Sequence, residues 1–204
     1  MKILAFTDLH GDPKYLNKLL EKIKKEDPDA IVCAGDISNF SYGLRTILKK
    51  FDLDIPFLII PGNHETPEEI QVYSREFKSI KDIHLKHFIL GSFFFVGCGG
   101  GGFTPNHAEF EQSEKKFSEL INKLKVQDHK YKVILVTHQP PYKTKLDKIY
   151  GENSGSKSIR KFIEKNQPAY CICGHIHENE GKTDKIGETI IINPGPEGKI
   201  IIID

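Results

Sequence analysis

The 204-residue chain has no tryptophan, a single methionine and no surplus of either charge: Lys and Arg number 29, Asp and Glu 28. A net charge of +1 removes the global basic field with which a protein attracts a nucleic-acid backbone, so nucleic acid is not an expected partner. Long hydrophobic runs are missing as well. No stretch approaches the length of a membrane span. The apolar opening is cut by Asp8, which leaves it too short for a signal peptide. The expected compartment is the cytoplasm, with no membrane partner. Cysteine is scarce: Cys33, Cys98, Cys171 and Cys173 each lie in or beside an apolar, strand-like run. That placing predicts buried, reduced thiols rather than a disulfide framework. No second close pair complements Cys171 and Cys173, so a structural zinc site is not expected. Repeats and Pro- or Ser-rich linkers are lacking, and residues 1–204 are read as one domain, long enough to bury a core.

What is present alternates. Residues 2–6 form a short apolar run and predict a buried strand. In residues 13–26, Leu16, Leu19, Leu20 and Ile23 recur at helical spacing behind Pro13, which predicts a helix. Further strands are expected at 30–34 and 57–60, with a helix at 42–50 between them, the pattern of parallel βαβ units. Residues 83–85, 87–90 and 93–97 read as consecutive strands with a tight turn at Gly91-Ser92. Helices at 109–125 and 156–166 bracket a strand at 133–137. The end of the chain reads as strands at 169–173, 182–186, 189–192 and 199–203. Many strands with few helices predict two packed sheets flanked by helices.

Five fragments sit just beyond expected strand ends: Asp8-Leu9-His10, Gly35-Asp36, Gly62-Asn63-His64-Glu65, His138, and Gly174-His175-Ile176-His177. Ligands of α/β folds bind at the carboxyl ends of strands, so these fragments can converge. Asp, Asn and His supply the oxygen and imidazole donors that suit Mn, Fe, Zn, Ni or Co. Asp8 with His10, and His175 with His177, are two residues apart, a spacing that places side chains on one side of an extended chain. Each fragment alone has a plainer reading: Asp8 as a helix cap, Asp36 as a turn residue, Gly-Asn-His as a turn, His138 as a packed histidine, His-x-His as an exposed loop. Five of the nine histidines fall in these fragments, and the plainer readings do not explain that together.

The ordered set Asp-x-His, Gly-Asp, Gly-Asn-His-Glu, His, Gly-His-x-His resembles the calcineurin-like metallophosphoesterases, from Asp8 to the Asn193-Pro194-Gly195 turn. Thr137-His138-Gln139-Pro140-Pro141 and Gly174-His175-Ile176-His177-Glu178 look like small stand-alone, prokaryotic-type members. The resemblance implies an α/β (α+β) fold, a four-layer α-β-β-α sandwich of two mixed β-sheets flanked by helices. It implies two divalent metal ions, manganese first, with Fe, Zn, Ni or Co as alternatives. One would take Asp8, His10, Asp36 and His177, the other Asp36, Asn63, His138 and His175. Asp36 would bridge them with a water or hydroxide. His64 matches the family's catalytic histidine, a general acid rather than a ligand. The implied reaction is hydrolysis of a small phosphodiester or phosphomonoester by in-line attack of the bridging hydroxide. The alternatives are a non-catalytic metal-binding scaffold on the same fold, and a nuclease, which calls for a basic track not seen here.

Some signals remain outside that set. Residues 97–102 contain G-x-G-x-x-G, but Pro105 argues against a helix opening there and no βαβ unit is expected around it. The better reading is a mobile loop near the metal site, with His107 solvated. Lys143, Lys145, Lys148 and Tyr150 lie in a polar stretch read as a solvated face. His84, His87 and His129 read as structural or surface residues.

Overall fold

The computed structural model describes residues 1–127 and 131–203, so His129 lies outside the described residues. The chain opens with β1 (Lys2–Phe6), α1 (Pro13–Glu26), β2 (Ala30–Cys33), α2 (Leu44–Lys50), β3 (Phe57–Ile59), α3 (Pro67–Glu76) and β4 (Ile80–Asp82). It continues through β5 (His87–Leu90), β6 (Phe93–Cys98), α4 (Ala108–Gln127), β7 (Lys132–Thr137), β8 (Lys148–Ile149), β9 (Glu152–Asn153) and α5 (Lys157–Asn166). It ends with β10 (Tyr170–Ile172), a 3-10 turn at His177–Asn179, β11 (Thr183–Ile186), β12 (Thr189–Ile192) and β13 (Lys199–Ile202).

Two large sheets form, ordered β13-β1-β2-β3-β4 and β11-β12-β10-β7-β6-β5. Both are mixed. β1, β2, β3 and β4 run parallel with β13 antiparallel at the edge. β6, β7, β10 and β12 run parallel between antiparallel β5 and β11. Strand alternation divides the apolar residues between two faces. Leu4, Phe6, Ile31 and Cys33 face the layer of α1 and α2, whereas Ile3, Ala5, Val32 and Ala34 meet Phe95, Ile134, Val136 and Ile172 between the sheets. Val133, Leu135 and Cys171 turn the other way, onto Phe117 of α4 and Phe162 of α5. The result is the expected α-β-β-α sandwich. Complete burial of each such Leu, Ile or Phe contributes about 1.5–3 kcal/mol before conformational entropy is subtracted. All four cysteines are free and buried, as read from their apolar neighbours. No helix among the described residues is long and apolar enough to cross a membrane.

Two expectations need correction, and one helix is additional to those expected. A strand was expected at 83–85, but the strand is β4, which ends at Asp82. Ile83 still donates to Ile59 in the first sheet while His84 already bridges Gly97 beside the second; the chain is crossing between sheets there and serves neither as a regular strand. Helix α3 adds an element whose apolar stripe is short, with Ile70 its buried residue. Its start is nonetheless written in the sequence: Thr66 and Glu69 form a reciprocal capping box around Pro67. The glycine run at 97–102 does lie in a βαβ unit, because α4 connects the parallel strands β6 and β7. The helix opens at Ala108, beyond Pro105, so the run ends β6 and continues into a loop, not a helix N-terminus.

Candidate metal centre

The parallel strands of both sheets end at one place. Asp8 follows β1, Asp36 follows β2, and Asn63 and His64 follow β3; from the second sheet, His138 follows β7 and His175 follows β10. The paired residues do not converge by extended alternation, however. Asp8 (φ 54°), His10 (φ 48°), Asp36 (φ 52°) and His175 (φ 72°) all take left-handed backbone, which costs a non-glycine residue about 1–3 kcal/mol. Backbone bonds hold the strained residues: Asp8 donates to Gly35, and His10 to Asp36. Two glycines make the close approach possible. A Cβ on Gly62 would stand 1.9 Å from Asp36 Oδ1, and one on Gly174 would stand 1.9 Å from Thr7 Oγ1 and 2.5 Å from Asp8 Oδ2.

Asp36 lies at the junction. Its Oδ2 is 3.3 Å from His138 Nε2, and 3.9 Å from both His10 Nε2 and His64 Nε2. Asp8 Oδ1 is 3.7 Å from His177 Nε2, which is 3.1 Å from His10 Nε2. Asn63 Oδ1 is 3.1 Å from His138 Nε2, and the His175 ring stands 5.0 Å from that of His138. Thus all seven candidate ligands and His64 meet in one cluster. Donor groups of Asp8, His10 and His177, of His10, Asp36 and His64, and of Asp8, Asp36 and His138 can each converge on an ion. At 3.1 Å, His10 Nε2 and His177 Nε2 are close enough to ligate one ion. His175 Nε2 is buried with no hydrogen-bond partner among the described residues, a lone pair that an ion would satisfy. His138 Nδ1 donates to Ala34 O at 2.8 Å, which fixes the tautomer and leaves Nε2 free to ligate.

The electrostatics point the same way. Burial alone would raise Asp36, but the hydrogen bond and charge of His138, with the backbone and ring of His64, pull it down to about 2. Burial alone would lower His138, but Asp36 and then Asp8 raise it to about 9. Burial and the His138 charge press His175 down to about 4. The same two buried carboxylates would favour a metal cation on His138 Nε2 in place of that proton.

Several residues beyond the expected ligands support the centre. Glu65, 6% exposed, accepts from the backbone N–H groups of Asp36, Ser38 and Gly62 and from Ser38 Oγ. It ties the loops after β2 and β3 together although burial raises its own carboxyl. Its place in Gly-Asn-His-Glu was the available signal. Glu65→Ala leaves buried donors unpaired, at about 1–3 kcal/mol each. The expected result is a lower melting temperature and a metal affinity reduced about 10- to 100-fold, read by metal titration of the folded variant. Asn39 Oδ1 lies 3.2 Å from His64 Nδ1, so Nδ1–H can donate there and leave Nε2 facing the centre.

Other expectations are refined. The glycine-rich loop does border the centre, since Phe103 lies against His175. His107 is not solvated: it is 5% exposed, with Nε2 3.2 Å from Gly99 O and its backbone N–H donating to Ser158 Oγ. The loop folds back over it, closing the ring off from water. His84 is buried and accepts from the Gly99 N–H, while His87 is exposed beside Phe94. The 142–156 stretch is more than a solvated face. Asp147 is buried and accepts from the backbone of Lys143, Thr144 and Gly155, whereas Lys143, Lys145, Lys148 and Lys182 line a cleft of about 600 Å³.

With this geometry in place, the sequence matches the calcineurin-like phosphoesterases over residues 1–179, and the chain belongs to that family. Its members use divalent metals, and the Asp and His cluster here can hold two. A full-length relative is the uncharacterized protein MJ1162 of Methanocaldococcus jannaschii, 37% identical over 98% of this chain and 91% of its own. A probable glycerophosphodiester phosphodiesterase, GpdQ, of Arcobacter nitrofigilis is 26% identical over 75% of this chain and 58% of its own length. The chain therefore spans little more than half of that relative. The crystal structure of TT1561 from Thermus thermophilus shares the fold, with a TM-score of 0.73 at 19% identity over 96% of this chain and 90% of that one.

Proposed function

We propose that residues 1–204 form one phosphoesterase domain that hydrolyses small phosphate esters with two divalent ions. Asp8, His10, Asp36 and His177 would hold one ion, and Asp36, Asn63, His138 and His175 the other. The observation that carries this reading is the position of Asp36, whose Oδ2 faces His10, His64 and His138 at once. When bound, the ions supply positive charge for the phosphoryl oxygens and make hydroxide available near neutral pH. The protein holds the carboxylates and imidazoles in fixed register, through Glu65 behind Asp36 and Ala34 behind His138. His64, oriented by Asn39, gives its proton to the departing oxygen. A scaffold would not require this complete donor set. A diester is the favoured substrate, supported by the activity named for the Arcobacter relative.

The test is a metal-by-substrate screen on metal-stripped protein, with mono- and diesters, cyclic nucleotides and a DNA oligonucleotide. Mn or another first-row ion should restore activity better than Mg does, since imidazoles favour transition metals, and a small diester should turn over fastest. Two bound ions with no turnover of any ester would leave the scaffold reading. Preference for the oligonucleotide would make the protein a nuclease.

A further inference from the structure

Two aromatic side chains stand in solvent at the edge of the centre. Phe40 is 75% exposed, with its ring centroid 4.2 Å from that of His64. Phe103 is 64% exposed, with its centroid 4.4 Å from that of His175. They come from different loops, one after β2 and one after β6, so sequence neighbourhood does not explain why both meet site histidines. A ring needed only to prop a histidine gains most by burying its remaining surface. These two leave most of theirs in water.

The backbone beneath them is unusual too. Phe40 (φ 48°) and Ser41 (φ 60°) are consecutive left-handed non-glycine residues, and a bulky residue in that region is an outlier that its surroundings must enforce. Ser41 Oγ donates to Glu69 Oε2 at 2.7 Å and Tyr42 N–H to Asn39 O at 3.0 Å, which hold the turn. Phe103 follows Gly100, Gly101 and Gly102, all at positive φ, a path that only glycine takes cheaply. At Gly101 a Cβ would come within 2.7 Å of the His107 ring. Both loops thus accept conformational cost to place a ring beside the site.

We propose that Phe40 and Phe103 form a stacking platform for a planar ring of the nucleobase class carried by the ester, making a nucleotide-type phosphodiester the preferred substrate. This rests on the phosphoesterase reading above. Phe40 at the His64 side and Phe103 at the His175 side each offer a face to a ring on one arm of a diester. Such stacking tolerates any base and changes affinity by about 5- to 100-fold. Both residues act by positioning the substrate and take no part in bond breaking.

The experiment uses the metal-loaded full chain and two diesters that differ only in the base: the methyl ester of adenosine 5′-phosphate and the methyl ester of ribose 5-phosphate. The wild type should favour the adenosine compound by about tenfold or more in kcat/KM, mainly through KM. Phe40→Leu with Phe103→Leu keeps apolar contact with the histidines and removes the π faces. It should bring that ratio close to one, and Phe→Trp at both positions should restore it. A wild-type ratio near one, or a ratio unmoved by the leucines, overturns the platform. An equal fall on both esters assigns the rings to propping His64 and His175 and overturns it as well. If neither ester turns over, the phosphoesterase reading fails, and calorimetric binding of adenosine 5′-phosphate against ribose 5-phosphate then judges the platform alone. A several-fold preference lost in the leucine variant upholds it; equal binding in the wild type rejects it.

Discussion

His64→Ala should keep both ions and slow turnover by about 10²- to 10⁴-fold, the usual worth of a positioned acid. The His64 ring stands among the ligands, with Nε2 3.9 Å from Asp36 Oδ2 and its ring 4.6 Å from that of His10. Distance alone therefore permits ligation or proton donation. Two measurements separate them. Metal content per chain stays unchanged if His64 is the acid and falls if it is a ligand. The loss in kcat should also follow the leaving group: an alkoxide needs its proton as the bond breaks, whereas a nitrophenolate departs without one. Comparing kcat at saturation on an alkyl and a nitrophenyl ester of one phosphate class removes any extra affinity for the aromatic ring. A large loss on the alkyl ester and a small one on the nitrophenyl ester supports the acid. Equal losses would leave His64 orienting the bound phosphate instead.

Much of this molecule is legible from sequence because its signals are local. Short apolar runs mark β1, β2, β3 and β7, and the spacing of Leu16, Leu19 and Ile23 marks the buried face of α1. Strand ends mark the site, since a ligand after a parallel strand needs nothing beyond its own turn to reach the crevice. What escapes is set by tertiary context. The crossing at His84 depends on where β6 lies, and no local pattern encodes that. Helix α3 buries little, so periodicity is silent although its capping box is readable. The left-handed backbone at Asp8, His10 and His175 is fixed by long-range bonds, such as Asp8 N–H to Gly35 O. Asp8 and His10 meet for that reason rather than by strand alternation. Glu65 stands in the Gly-Asn-His-Glu fragment, but its bracing role shows only in its four donors, three from the loop after β2 and one from the loop after β3.

The central claim is that one carboxylate joins two ions, and counting ions in Asp36→Ala tests it most directly. Asp36 Oδ2 faces nitrogens expected at both positions, whereas His10 pairs with His177 and Asp8 at one end of the cluster. Removing a shared ligand weakens both positions together and also removes the charge that draws cations into the site. Activity should fall by about 10⁴-fold or more, because a Lewis-acid contribution of several kcal/mol is lost together with hydroxide supply. His10→Ala strips mainly one position. Metal-loaded proteins dialysed alongside each other and measured by elemental analysis should give two ions per chain for the wild type, close to one for His10→Ala and close to none for Asp36→Ala, with all three folded by circular dichroism. Equal metal loss from the two variants would refute the bridge, and a wild-type chain that binds no ion while hydrolysing esters in excess chelator would contradict the account altogether.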